Sequence, residues 1–140
     1  MILQEKKTDA LKQIIEELNF SNKIFVINDR IETIAHNASY RNNFDIGTSR
    51  AVGSPSTVAE YILPMLNKSG IGLLYCGKWK KEDEDKIKNS LKILKGSISE
   101  IAQTLLPKQK GERNIILIKP EQNCPESYPR GKGKPAKYPL

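Results

Sequence analysis

The chain has 140 residues, 38% of them hydrophobic, and a mean hydropathy of −0.51, which allows one domain with a real core but little apolar surplus. Lys and Arg number 23 against 16 Asp and Glu, a formal charge of +7 that suits a polyanionic partner such as RNA or an acidic membrane surface. No apolar run approaches the roughly 20 residues of a membrane helix and the N-terminus carries no signal-peptide pattern, so the expectation is a soluble, cytoplasmic protein without membrane partners.

Residues 5–19 place Leu11, Ile14, Ile15 and Leu18 on one helical face, which predicts an amphipathic helix. Residues 23–28 (KIFVIN) are short, β-branched and aromatic, as a strand buried on both faces should be, and residues 44–49 repeat the type less strongly. Between them residues 30–36 suit one or two helical turns. Pro55 and Ser56 open a helix through residues 57–66, with Val58, Ile62, Met65 and Leu66 at helical spacing, and Lys68-Ser69-Gly70 stops it. Residues 71–75 (IGLLY) form a second buried strand, and residues 80–94 a charged helix with Ile87, Leu91 and Leu94 inward. Residues 97–106 and 112–119 are strand-like and joined by a short loop containing Lys108 and Lys110, an antiparallel hairpin. From Pro120 the chain is rich in proline, glycine and lysine and is expected to lie extended on the surface. The pattern predicts an α/β fold, a mostly parallel sheet covered on both faces with a C-terminal antiparallel hairpin, and a division into residues 1–119 and a basic tail, 120–140.

Cys76 and Cys124 lie far apart with no Cys-x-x-Cys pair, so both are expected to be free thiols, Cys76 half-buried, and no metal site is predicted. His36 is the one histidine, with no Ser or Cys at recognisable spacing, and suits a capping or surface role. The charges of residues 80–85 suit an exposed helix face.

Four stretches, EKKTDALKQII, the DRIE of residues 29–32, the FDIGTSRAV of residues 44–52, and GERNIILIK followed by CPESYPRGKGKPAKYPL, resemble the RsmG (GidB) family in order and spacing, over nearly the whole chain. The resemblance implies a Rossmann-like class I methyltransferase that methylates N7 of a guanine in small-subunit (16S) ribosomal RNA with S-adenosylmethionine. It also implies that Ile31 and Glu32 lie against the adenine of the cofactor and that Arg50 sits beside it. Both segments follow strands, where ligands of open α/β sheets bind; a solvated or paired Glu and Arg is the plainer alternative. Gly77 and Lys78, after another strand, are candidate substrate contacts. A ring nitrogen attacks with its own lone pair, so no catalytic side chain is expected. Arg113, Arg130, Lys132, Lys134 and Lys137 are candidates for phosphate contacts, and Tyr128, Tyr138 or Trp79 for stacking on a base; a solvated basic tail is the bland alternative.

The family's glycine-rich cofactor loop has no counterpart, since the earliest glycine is Gly47, and the position of its acidic ribose contact falls on Ile2, with Glu5 out of register. The expectation is an N-terminally truncated fold whose sheet lacks its central strand and leaves apolar edges open. Alternatives to an active enzyme are a non-catalytic RNA-binding remnant and a complementing half of a split enzyme.

Overall fold

Strand-forming runs and amphipathic helices alternate along the chain, and most build the element their pattern favours. The computed structural model describes the backbone of residues 2–107 and 111–140 and the side chains from Lys7 onward. Lys108 and Lys110 of the hairpin loop and the side chains of Ile2 and Glu5 lie outside the described residues. The chain divides into two compact units, Met1–Arg30 and Ile31–Leu140.

In the first unit α1 spans Ile2–Glu17. Asn19, at φ 57°, turns the chain out of the helix, and Phe20 N donates to the Ile15 carbonyl at 2.9 Å, a left-handed stop that asparagine tolerates. Of the predicted inward face Ile15 is buried, whereas Leu11, Ile14 and Leu18 remain exposed. The strand expected at residues 23–28 does not form, and Phe25 is 82% exposed. Strand preference is a preference for packing on a pleated surface, and among the described residues no strand pairs with this run.

The second unit begins with α2, Ile31–Ile34, the short turn the sequence predicts. It continues through β1 (Phe44–Arg50), α3 (Pro55–Ile62), a 3-10 turn (Leu63–Met65), β2 (Leu66–Cys76), α4 (Lys81–Leu94), β3 (Gly96–Leu105), β4 (Glu112–Pro120) and α5 (Lys134–Lys137). The sheet order is β1-β2-β4-β3. β1 and β2 are parallel, β4 runs antiparallel to β2, and β3 and β4 form the predicted antiparallel hairpin. This is an α/β, Rossmann-like arrangement, with the β1–β2 pair as its parallel part.

Ser54 caps α3 by accepting from Thr57 N at 3.2 Å, and Pro55 supplies the first helical position. The helix ends earlier than the apolar spacing suggests. Pro64 has no N–H to give to the α-helical ladder, so the chain tightens into the 3-10 turn and β2 starts at Leu66. α4 starts where Asp83 accepts from Lys80 N at 3.1 Å, with Glu82, Asp83 and Glu84 in its first turn.

α3 and α4 pack on one face of the sheet. Val58, Ala59, Ile62, Leu63, Ile87, Leu91 and Leu94 meet Leu66, Leu74, Ile116 and Ile118 there. Gly72 permits the approach, since a Cβ on it would stand 2.8 Å from Ile118 and 3.0 Å from Ile62. Full burial on both faces is not reached among the described residues: Ile71 and Tyr75, pointing the other way, are 39% and 45% exposed. An apolar run is compatible with two-sided burial but cannot supply the second layer.

The tail is also corrected. It docks into the second unit instead of lying extended, and Cys124, Pro129 and Pro135 are buried. Its backbone carbonyls are met by side chains from α3 and from the segment between α2 and β1. Arg41 donates to Cys124 O, Pro125 O and Tyr128 O at 2.8–3.0 Å, His36 Nε2 donates to Pro129 O at 2.8 Å, and Thr57 Oγ1 donates to Pro135 O at 2.9 Å.

Candidate cofactor cavity and basic edge

Parallel β1 and β2 end at the same edge of the sheet, and antiparallel β4 begins there, with Cys76 opposite Asn114. Arg50 closes β1, Lys78 follows β2 and Arg113 opens β4, so three exposed cations emerge from three adjacent strands, across two strand spacings of about 5 Å each. The loop after β2 is pinned from β4. Asn114, 2% exposed, donates Nδ2 to the Gly77 carbonyl at 2.7 Å, and Glu112 accepts from Trp79 N at 3.1 Å. The Trp79 ring is half-buried against the core, and its buried Nε1 has no partner among the described residues.

Along the open edge of β1 lies a cavity of about 360 Å³. Ser49, Val52 and Val58 mark its end at the carboxyl terminus of β1, Phe44, Met65 and Leu66 the other, and Ile31 and Tyr61 are also in its wall. Ser49 carries a buried hydroxyl without a partner among the described residues. Of the residues expected at a cofactor, Ile31 therefore lines a cavity together with Ser49, the neighbour of Arg50. Arg50 is exposed at the strand end and is not in the lining. Glu32, 4% exposed, accepts from Gly133 N at 2.8 Å and from the Tyr61 hydroxyl at 3.4 Å.

The residues expected to touch RNA separate into two groups. Lys78, Arg113, Lys132 and Lys134 are exposed. Arg130 is engaged internally: Nε and Nη2 donate to the Glu60 carboxylate at 2.7–3.2 Å, and Nη2 donates to Tyr138 O. Tyr128 packs against the core. The anchors Glu60 and Arg41 escaped the sequence reading; the one available signal was a glutamate inside an apolar helix run, TVAEYI, which anticipates a buried partner.

The family model for GidB, rRNA small subunit methyltransferase G, matches residues 3–122. The chain belongs to this family. It is similar to the ribosomal RNA small subunit methyltransferase G of Prochlorococcus marinus strain MIT 9515, 57% identical over 136 residues, which are 97% of this chain and 57% of that protein. The counterpart in strain MIT 9312 is 59% identical over the same shares, and that in strain NATL2A is 39% identical over 96% of this chain and 54% of its own length. The chain thus spans a little over half the length of the curated relatives it matches.

Membership of the GidB family implies a methyl donor, and the cavity can be tested for one. Its apolar wall and the orphan Ser49 hydroxyl fit a flat ring with one polar contact, whereas among the described residues no acidic side chain lines it for ribose hydroxyls. The described residues fit one wall of a nucleoside site. Among them no cluster of His, Cys, Asp and Glu could hold a metal, and no helix is long and apolar enough to cross a membrane.

Both cysteines are free. Burial raises the Cys124 thiol to about 11, against the opposing effect of the Arg41 charge; burial, then the Asp83 charge, also raises Cys76. At pH 8 about one Cys124 in a thousand is thiolate. Cys124 should therefore resist a disulfide reagent while half-buried Cys76 is modified, a difference that mass spectrometry of labelled peptides resolves.

Proposed function

We propose that this chain supplies one cofactor wall and the RNA-facing edge of an S-adenosylmethionine-dependent methyltransferase acting on guanine N7 in small-subunit (16S) ribosomal RNA. The observation that carries it is an apolar cavity with an orphan hydroxyl at Ser49, one end of which lies at the carboxyl terminus of β1 where Arg50 is exposed, with the exposed Lys78 and Arg113 at the same ends of the next two strands. Ile31, Val52 and Val58 would hold the adenine by apolar contact and Ser49 by a hydrogen bond, with Arg50 beside the mouth. When bound, the cofactor supplies a methyl group on a sulfonium. Guanine N7 brings its own lone pair, so no side chain has to remove a proton, and the task of the chain is to orient the two partners. Lys78, Arg113, Lys132 and Lys134 would neutralise phosphates. Arg130 and Tyr128 would serve indirectly, by fixing the tail that carries the two lysines.

A second reading is RNA binding without methyl transfer, either as a remnant or as one half of a two-chain enzyme. It is favoured by Glu32, whose carboxylate is committed to Tyr61 and Gly133. Label transfer from methyl-labelled S-adenosylmethionine to unmodified small-subunit RNA separates the two. Both predict salt-sensitive binding: four phosphate contacts weaken affinity roughly 100-fold between 50 and 200 mM salt, and Lys78→Ala lowers the log–log slope by about 1. Binding without transfer supports the second reading, and a salt-independent affinity overturns both.

A further inference from the structure

We propose that Glu32 is a positioning residue that ties the basic tail to the cavity wall, so that a polyanion on the tail and an occupant of the cavity strengthen each other's binding. The proposal rests on the function proposed above for the cavity and the tail. Glu32 is nearly fully buried, and its Oε1 accepts from two directions. The Gly133 amide, in the tail, donates at 2.8 Å, and the Tyr61 hydroxyl, on α3, at 3.4 Å. Tyr61 and Ile31, the residue before Glu32, both line the cavity. Gly133 stands between the exposed Lys132 and Lys134 and has φ 77°, a conformation that glycine adopts freely. One carboxylate oxygen therefore joins a lysine-flanked turn to two elements of the wall.

The tail returns to the same region through other bonds. Thr57, in the first turn of α3, holds Pro135 O, and His36, just beyond α2, holds Pro129 O. A carboxylate out of water is held by its hydrogen bonds, so undocking the turn would take from Glu32 its short amide donor at 2.8 Å and loosen the segment that carries Ile31 and faces Tyr61. The docked tail presents Lys132 and Lys134 at fixed spacing, and the docked wall presents Ile31 and Tyr61 at fixed positions. Ligands of both sites favour one state, which is positive coupling, and linkage makes it reciprocal.

The test measures the affinity of the full chain for adenosine with and without a saturating ten-residue oligouridylate. In the wild type the oligonucleotide should tighten adenosine binding at least about fivefold. Glu32→Gln keeps a carbonyl oxygen that accepts both bonds and should retain the effect, whereas Glu32→Ala should bring the ratio to within twofold of one. If Glu32→Ala does not fold, Tyr61→Phe, which removes one hydroxyl, must lower the ratio. A wild-type ratio near one, with both probes bound, overturns the coupling and leaves the proposed function standing. A ratio that survives both Glu32→Ala and Tyr61→Phe overturns the role of Glu32. Failure of the wild type to bind either probe alone overturns the proposed function and the coupling with it.

Discussion

Arg130→Met is expected to destabilise the second unit by about 3 kcal/mol, seen as a lower urea midpoint at unchanged slope. Glu60 is 0% exposed, and its carboxylate receives Nε and Nη2 of Arg130 at 2.7–3.2 Å. Methionine fills similar space but offers no donor, so a carboxylate shut away from water loses its cation. The backbone amide of Arg130 also donates to Glu60 at 2.8 Å and survives the substitution, and Arg130 retains 26% side-chain exposure. Both points place the effect at the low end of the roughly 3–5 kcal/mol typical of a broken buried pair. The double change Glu60→Leu with Arg130→Met should recover part of the loss, because removing both charges removes the desolvation cost while the Arg130 amide loses its acceptor. A double variant no more stable than Arg130→Met alone would show that the pair is not what holds the tail.

The sequence made the hairpin and both long helices of the second unit legible because their signals are local. Ile87, Leu91 and Leu94 repeat at helical spacing, and the strand-like runs at residues 97–106 and 112–119 are joined by a short loop, so each element carries its own evidence. The run KIFVIN carries equally strong local evidence and misleads. A strand is completed by a neighbour, and no property of residues 23–28 reports whether one is present. Apolar spacing, weighed above Pro64, misassigns the helix stop to Lys68-Ser69-Gly70; the missing N–H of Pro64 ends α3 earlier.

The tail was opaque for a different reason. Proline, glycine and lysine make no core element of their own, but the groups that dock the tail are elsewhere in the chain: Glu32, Arg41, Thr57 and Glu60. Separations of up to 101 residues leave no periodic trace. The same blindness affects the site. The strand ends Arg50 and Lys78 follow from the α/β pattern, whereas the partnering of Glu32 with Gly133 follows from where the tail comes to rest. Composition records a basic tail; the structure divides it into Arg130, turned inward, and Lys132 and Lys134, left outside.

Arg41→Lys should release the start of the tail, at a cost of about 2 kcal/mol, although the charge is conserved. Nη1 donates to Ala35 O at 3.0 Å and Tyr128 O at 2.8 Å, and Nη2 to Cys124 O at 2.9 Å and Pro125 O at 3.0 Å. A planar guanidinium reaches four carbonyls at once because its donors are fixed in a fork; an ammonium is one point and cannot occupy both ends of it. Carbonyls left without a donor in a partly buried site lose roughly 1–3 kcal/mol each when nothing replaces it, and water reaching the loosened segment recovers part of that. Cys124 provides the readout. It is 4% exposed and its own carbonyl is one of the four acceptors, so local opening of the tail exposes the thiol. A 2 kcal/mol loss corresponds to about a 30-fold faster modification of Cys124, with Cys76 on β2 as the internal standard whose rate should not change. Equal acceleration at both cysteines would mean that the unit opens as a whole and that Arg41 does not act on the tail alone.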